Sequence, residues 1–235
     1  GAICDVDQTV LAKAVKTVEN TGRKCEGYVD YRRLLDRKDI DALVIAAPNH
    51  WHSLMTVYAC QAGKHVYVEK PVSHSIAEGR KMVNAARKYN RIVQAGTQSR
   101  SGAGIRSAIK AVHAGEYGKV KVARAICYKR RKSIGPAQKN AIPSEIDYDL
   151  WNGPADIQES IRGNETDKVQ HAANNGPVHY DWHWFWKTGN GDLNNQGTHQ
   201  LDVARWALDK DQTHPVRVTA LGGRFQWDDQ GETPN

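Results

Sequence analysis

Long apolar runs are missing from this chain. Nowhere among its 235 residues do eighteen apolar side chains follow one another, so no segment has the length that a membrane-spanning helix needs. The opening Gly1-Ala2-Ile3-Cys4-Asp5 lacks the charged, then apolar, then small-residue order of an export signal. Cysteine is scarce. Cys4, Cys25, Cys60 and Cys127 are far apart and form no CxxC pair, which excludes a disulfide-stapled scaffold and leaves buried thiols as the reading. With 40% hydrophobic and 25% charged residues, the chain is neither disordered nor fibrous in composition.

Charge is basic in balance but not concentrated. Lysine and arginine number 33 against 26 acidic residues, a net +7. The densest patch, Lys129-Arg130-Arg131-Lys132, has no zinc-finger, helix-turn-helix or RNA-binding signature around it. It reads as a solvated loop, and nucleic acid is not the expected partner.

Residues 1 to 100 alternate short apolar runs with longer helical patterns, the rhythm of βα units around a parallel sheet. Gly1 to Cys4 reads as a strand ending at Asp5, followed by a helix through Val10, Leu11, Ala14, Val15 and Val18 that stops at Gly22. Asp41 to Ala47 is a continuous apolar run, as expected for a strand covered on both faces, and Pro48 and Asn49 end it. Ser53 is a candidate cap for the next helix, which leaves at Gly63. His65 to Val68 is a further strand, Ser75 caps a helix with Ile76, Met82, Val83 and Ala86 inward, and Arg91 to Ala95 is a strand again. An open, doubly wound α/β layer is therefore expected over residues 1–100.

Beyond Ser101 the texture changes. A linking helix through Ile105, Ile109 and Val112 precedes a strand-like stretch from Lys119 to Tyr128. Residues 133 to 178 are irregular, read here as a substrate-side loop region. Val216 to Leu221 and Gly223 to Trp227 read as strands of a second α+β domain, residues 101–235, with an open and mainly antiparallel sheet. A doubly wound nucleotide fold opens with a strand and a glycine-rich phosphate turn, and this chain starts inside what reads as the second strand. The expectation is a chain cut short at the front, and at the back too.

Three stretches carry a resemblance. Ala47-Pro48-Asn49-His50-Trp51-His52 with Gly63-Lys64-His65-Val66-Tyr67-Val68-Glu69-Lys70-Pro71 is one; Gln94 to Arg100 with Tyr148 to Ala155 is another; Gly189 to Asp202 is the third. Together, in this order, they resemble the Gfo/Idh/MocA family of NAD(P)-dependent sugar and inositol oxidoreductases. The resemblance implies a Rossmann-like first domain, a sugar-like small-molecule substrate, NAD as cofactor, a homo-oligomer, and no metal. Its cofactor-binding positions fall on Asp5, Pro48, Asn49, His52, Glu69, Lys70, Pro71 and Gln98. Neither a membrane nor nucleic acid is an expected partner; the expected location is the cytoplasm, with the periplasm left open.

Each position also has a chemical reading. A carboxylate after a strand, as at Asp5, accepts hydrogen bonds from both ribose hydroxyls and repels a 2′-phosphate, which favours NAD over NADP; the alternative is an aspartate capping a turn. Lys70 at a strand end in a partly dry cleft can donate to a reacting oxygen or shuttle a proton, against the alternative of a surface lysine. In the family the Lys-Pro bond is typically cis, and it aims the lysine at the nicotinamide.

Residues 195 to 208 read as a helix with Asn195, His199, Asp202 and Trp206 on one face and Leu201, Ala204 and Leu208 on the other. By resemblance His199 is the acid/base, and its ordinary pKa suits that work. The family's commonest pattern has an aspartate four residues before the histidine; here Asn195 stands there, and an amide orients hydroxyls but holds no charge. Either His199 works without that carboxylate, or Asp192 and Asp202 replace part of its electrostatics.

In His179-Tyr180-Asp181-Trp182-His183-Trp184, an extended backbone would put His179, Asp181 and His183 on one side. That set suits zinc or, with the aromatic face, a sugar ring. Sugar contact by Trp182 and His183 is the preferred reading. The expected activity is hydride transfer between NAD and a secondary hydroxyl or ketone of a sugar, cyclitol or sugar derivative. Alternatives are an NAD-retaining lyase or glycosidase working through transient oxidation, and a non-catalytic sugar-responsive protein.

Overall fold

The computed structural model describes residues 1–128, 132–136, 142–155, 178–208 and 213–234. The first of these runs through β1 (Ala2–Cys4), α1 (Gln8–Glu19), β2 (Glu26–Tyr28), α2 (Arg32–Asp36), β3 (Ala42–Ile45), α3 (Asn49–Gln61), β4 (His65–Val68), α4 (Ile76–Lys88) and β5 (Val93–Ala95). All strand pairs are parallel. β1 pairs with β2, Ile3 opposite Gly27, while β3, β4 and β5 form one sheet in that order with Val44 opposite Tyr67 and Tyr67 opposite Gln94. The doubly wound α/β class expected from the sequence is present.

Local signals explain most element ends. The Asp7 side chain accepts from the Thr9 and Val10 N–H groups and caps α1. Ser75 and Glu78 form a reciprocal capping box at the start of α4. The helix after β3 begins earlier than expected: it starts at Asn49 with Pro48 as its cap residue, and Ser53 sits inside it, its hydroxyl donating to the Glu78 carbonyl. Proline suits that boundary because it has no N–H to leave unpaired.

The main core is built from Ile45, Val66 and Val68 of the three-stranded sheet with Ala59 of α3 and Met82 of α4. The inward face of α4 is Met82 and Ala85, whereas Ile76 is 94% exposed and Val83 is also exposed. The expected inward positions of those two are corrected. Ile76 is the first residue of α4, beyond the reach of the sheet, and the narrow face set by Met82 and Ala85 turns Val83 to water.

After β5 a single 3-10 turn, Gln98–Ser101, leads into α5 (Ala103–His113). α6 (Tyr148–Asn152), a 3-10 turn at Asp181–Trp184, α7 (Gly191–Asn195) and α8 (Gly197–Ala207) follow. A second cluster, Ile146, Trp151 and Ala155 with Val6, Val178 and Trp182 against it, packs this half onto the end of β1. An antiparallel bridge between Asp7 and Ile146 ties the same two regions.

The strands expected at 119–128, 216–221 and 223–227 carry no ladder among the described residues. In the first of them the alternation is present, with Val122, Ile126 and Tyr128 exposed and the residues between Val122 and Tyr128 at odd positions partly covered, whereas Val216, Val218 and Leu221 lie in a stretch that is exposed throughout. A strand, however, needs a neighbour to exchange backbone hydrogen bonds with. Lys129, Arg130 and Arg131 of the basic patch, and most of the 133–178 loop region, lie outside the described residues. Among the described residues no helix is long and apolar enough to cross a membrane.

Because Met82 is almost fully enclosed, Met82→Ala is expected to cost about 2–5 kcal/mol, read as a lower urea midpoint. Ser75→Ala, which removes half of the capping box, is expected to cost about 1 kcal/mol. Equal midpoints for both variants and the parent chain would contradict this account of the core.

Candidate active site

The two sheets do not join. The edges of β1 and β3 face one another across a cleft of about 1000 Å³, lined by Gly1 to Asp7, by Ala42 to Pro48, and by Trp51, Ile146, Trp151, His179 and Trp182. In a doubly wound sheet this is the place of the strand that carries the phosphate-binding turn, and ligands lie at its carboxyl end. Asp5 stands at that end. One of its carboxylate oxygens accepts from the Asp7 N–H at 2.9 Å. Burial is the largest influence on the group and raises its pKa. Asp7 itself faces the second half, where His179 Nε2 lies 3.0 Å from its other oxygen.

At the far end of the three-stranded sheet, β4 delivers Glu69, Lys70 and Pro71. The Lys70–Pro71 bond is cis, in agreement with the resemblance. The Lys70 Nζ donates to the backbone oxygen of Asn195 and, at 3.2 Å, to its side-chain oxygen. Glu69 accepts the Lys70 N–H with one carboxylate oxygen, at 3.1 Å, and the Gln98 amide with the other. Gly96 makes that pairing possible, because a Cβ there would stand 2.9 Å from the Glu69 carboxylate.

Lys70, Asn195 and His199 therefore meet. Asn195 closes α7 and His199 lies in the first turn of α8, so the expected single helix is broken at Gln196. The face reading holds from His199 onward, and on the other face Leu201 is exposed while Ala204 and Leu208 are partly covered. Asn195 is 7% exposed. Its Nδ2, like His199 Nδ1, is buried without a hydrogen-bond partner among the described residues. Burial, and then the Lys70 charge, lowers the His199 pKa, while Glu69 and Asp202 act in the opposite direction. At neutral pH the imidazole is a free base.

Several expected cofactor residues have other duties. His52 is 1% exposed, with its ring nitrogens 2.7 Å from the Pro71 and Ala47 carbonyls. It ties the end of β3 to the Lys-Pro segment and has no surface left for a ligand. Asn49 is buried and donates to Asn190 Oδ1 at 3.2 Å. Pro48 does line the cleft, and Gln98 acts through Glu69.

The extended reading of residues 179–184 is corrected. Asp181–Trp184 is a 3-10 turn, which scatters the three polar side chains: His179 goes to Asp7, Asp181 is buried, and His183 Nδ1 contacts the Tyr180 carbonyl. Trp182 stacks on His183 with ring centroids 3.6 Å apart and lines the cleft beside Ile146. No described contact brings Trp182 or His183 to Lys70. Asp202, considered as a source of charge for His199, is gripped by Arg100 at 2.7 and 2.9 Å. Asp192 gives one oxygen to Trp184 Nε1 at 3.3 Å and keeps the other buried and unpartnered among the described residues.

The sequence reading missed the seam that joins the halves. His50 is buried between the Trp151 carbonyl at 3.0 Å and the Thr188 carbonyl at 3.4 Å. Trp51 Nε1 donates to the same Trp151 carbonyl, and its ring lies so close to Gly153, whose φ is +48°, that any side chain there would collide. Asn190 donates to the His74 carbonyl, and the His74 ring returns to the Gly189 carbonyl. The only advance signal was that His50 and Trp51 stand within the first quoted motif and His74 just beyond Pro71.

A family model described as an oxidoreductase family with an NAD-binding Rossmann fold, Gfo/Idh/MocA, matches residues 2–97, and the model of its C-terminal alpha/beta domain matches residues 104–231. The chain belongs to the Gfo/Idh/MocA oxidoreductase family. Glycosyl hydrolase family 109 protein 2 of Shewanella sp. (strain ANA-3) is 43% identical over 90 residues, 36% of this chain and 20% of that protein. Among solved structures, levoglucosan dehydrogenase in its apo form has a TM-score of 0.60 at 20% identity, covering 89% of this chain and 43% of that one. A probable dehydrogenase from Thermotoga maritima has a TM-score of 0.56 at 21% identity, covering 89% and 48%. At these identities the likeness carries the Gfo/Idh/MocA fold. The chain spans less than half the length of these two structures, and its match to the curated relative covers only 20% of that protein.

Burial holds the His50 pKa down at about 4, so the unfolded chain binds this proton more readily than the folded one. Stability is then expected to fall as pH drops from about 6.5 to 4, by on the order of 3 kcal/mol from this group. In His50→Gln the urea midpoint should lose less over the same range. An equal loss in both proteins would remove His50 from the acid sensitivity.

Proposed function

We propose that the protein is an NAD-dependent dehydrogenase acting on a secondary hydroxyl of a sugar, cyclitol or sugar derivative. The observation that carries this reading is the meeting of Lys70, from a strand end in the first half, with Asn195 and the neutral His199 from two helices of the second. Family membership adds the cofactor class. Asp5 suits the adenosine ribose and the Lys70 region suits the nicotinamide, so these residues fit the two ends of NAD; the pyrophosphate contacts are not assigned to any residue of this chain.

When bound, NAD supplies a ring that takes up hydride from the carbinol carbon. The protein's residues manage the oxygen and its proton. Lys70 Nζ donates to the substrate oxygen and stabilises its developing charge. His199 accepts the hydroxyl proton, ready as a base because burial and the lysine charge keep it deprotonated. Asn195 Nδ2 has no acceptor among the described residues, and a substrate hydroxyl fits it. Asn195, being an amide, does not neutralise the Lys70 charge as a carboxylate would.

The test is NAD with a panel of inositols, anhydrosugars and aldoses, read by NADH absorbance and product analysis. Lys70→Met is expected to lower kcat by about 10²–10³-fold, and His199→Asn by about 10²–10⁴-fold. Asn195→Asp should move the acidic limb of the kcat/KM profile to higher pH, because a carboxylate beside Lys70 favours the protonated imidazole. Product without NADH would indicate a retained cofactor and net cleavage or elimination, and sugar binding without product would indicate a regulatory protein; either result overturns the dehydrogenase reading.

A further inference from the structure

The 3-10 turn Gln98–Ser101 holds both walls of the candidate site. At its start, Gln98 Nε2 donates to the Glu69 carboxylate and, at 3.1 Å, to the Tyr67 hydroxyl, and Glu69 in turn receives the Lys70 N–H. Two residues later Arg100 reaches the other wall. Its Nε lies 2.7 Å from Asp202 Oδ2 and its second terminal nitrogen 2.9 Å from Oδ1, a two-pronged fit. The guanidinium also lies over the Trp206 ring, 5.1 Å from its centroid.

Asp202 and Trp206 follow His199 by three and seven residues on α8, and so share its face. At the far end of this face, His113 of α5 contacts the Trp206 carbonyl at 2.8 Å. Arg100 therefore fixes the rotation and height of the helix that bears His199, from the same short turn that steadies the strand end bearing Lys70. Lysine could not do this, having neither the planar fork nor the flat face.

We propose that Arg100 is a positioning residue, which holds His199 opposite Lys70 by clamping Asp202 and Trp206 without touching substrate. This rests on the dehydrogenase reading for its kinetic consequence, though not for its structural one. Among the described residues the charges that act on His199 are Lys70 and Glu69 from the strand end and Asp202 from its own helix, with Arg100 against Asp202; Asp192 lies on the adjoining α7. Removal of Arg100 leaves the Asp202 carboxylate uncompensated on the imidazole's own face, and this favours its protonation.

The experiment follows the His199 ring by NMR titration of the whole chain in Arg100→Lys, Arg100→Gln, Asp202→Asn and the double variant Arg100→Gln/Asp202→Asn, with kcat and KM measured in parallel. Arg100→Gln is expected to titrate at higher pH than the parent and to lose about tenfold to 10²-fold in kcat, the scale of a small misplacement, with KM little changed. The double variant should return the titration towards the parent value but not restore kcat. Arg100→Lys should keep the parent titration and still lose kcat, which separates charge from clamp. An unchanged titration and kcat in Arg100→Gln overturns the proposal, and so does a loss confined to KM, which would make Arg100 a substrate contact. If the parent chain turns over no polyol, the dehydrogenase reading fails, while the titrations still decide whether Arg100 controls His199. Should Arg100→Gln not fold, Arg100→Lys decides through kcat: a loss with KM little changed supports the clamp, and an unchanged kcat overturns it.

Discussion

Everything in the candidate site depends on one ammonium group lodged in another element's oxygen atoms. Lys70 leaves the end of β4 and places its Nζ between the backbone and side-chain oxygens of Asn195. Both acceptors are neutral, so neither cancels the positive charge, and it is felt by His199 in the next helix. A carboxylate at that position would make a stronger pair and a more basic imidazole. The asparagine trades attraction for a histidine that is free to take a proton.

That contact would be fragile if it were the only link between the halves. Around it runs a seam of neutral hydrogen bonds: Asn49 to Asn190, Asn190 to the His74 carbonyl, and His50 and Trp51 to the Trp151 carbonyl. Buried histidines serve here as uncharged connectors, as the low pKa of His50 shows. His52 stands between the Ala47 and Pro71 carbonyls at the exit of β3, and as a neutral ring it donates to one of the two. Neutral groups tolerate burial once each is paired, whereas an enclosed charge needs a counter-charge and good geometry to avoid a large penalty.

The first half was legible because its order is local. The apolar run within Asp41 to Ala47, the Ser75 cap and Gly63 at a helix exit are short-range signals, and each element forms where the reading put it, although β3 is not covered on both faces, Val44 being exposed. β2 was not seen: Glu26-Gly27-Tyr28 has no apolar run, and it is a strand because β1 lies beside it and Gly27 lets Leu11 and Val15 of α1 come close. In the site, Lys70, Asn195 and His199 could be named from motifs. The partner each takes could not, because Lys70 and Asn195 lie 125 residues apart. His52 shows the limit well: a histidine in a motif beside a ligand cleft reads as a contact, and only the two carbonyls at its nitrogens reveal an internal strut. The 179–184 segment failed for a related reason. Its alternation assumed an extended backbone, and a 3-10 turn places the same side chains in different directions.

The division of the catalytic groups between the two halves has a thermodynamic corollary. Lys70 comes from one half, Asn195 and His199 from the other. A molecule with one end at Asp5 and the other near Lys70 would bind the docked arrangement of the halves in preference to a separated one, and mass action would then make its concentration a determinant of that docking equilibrium.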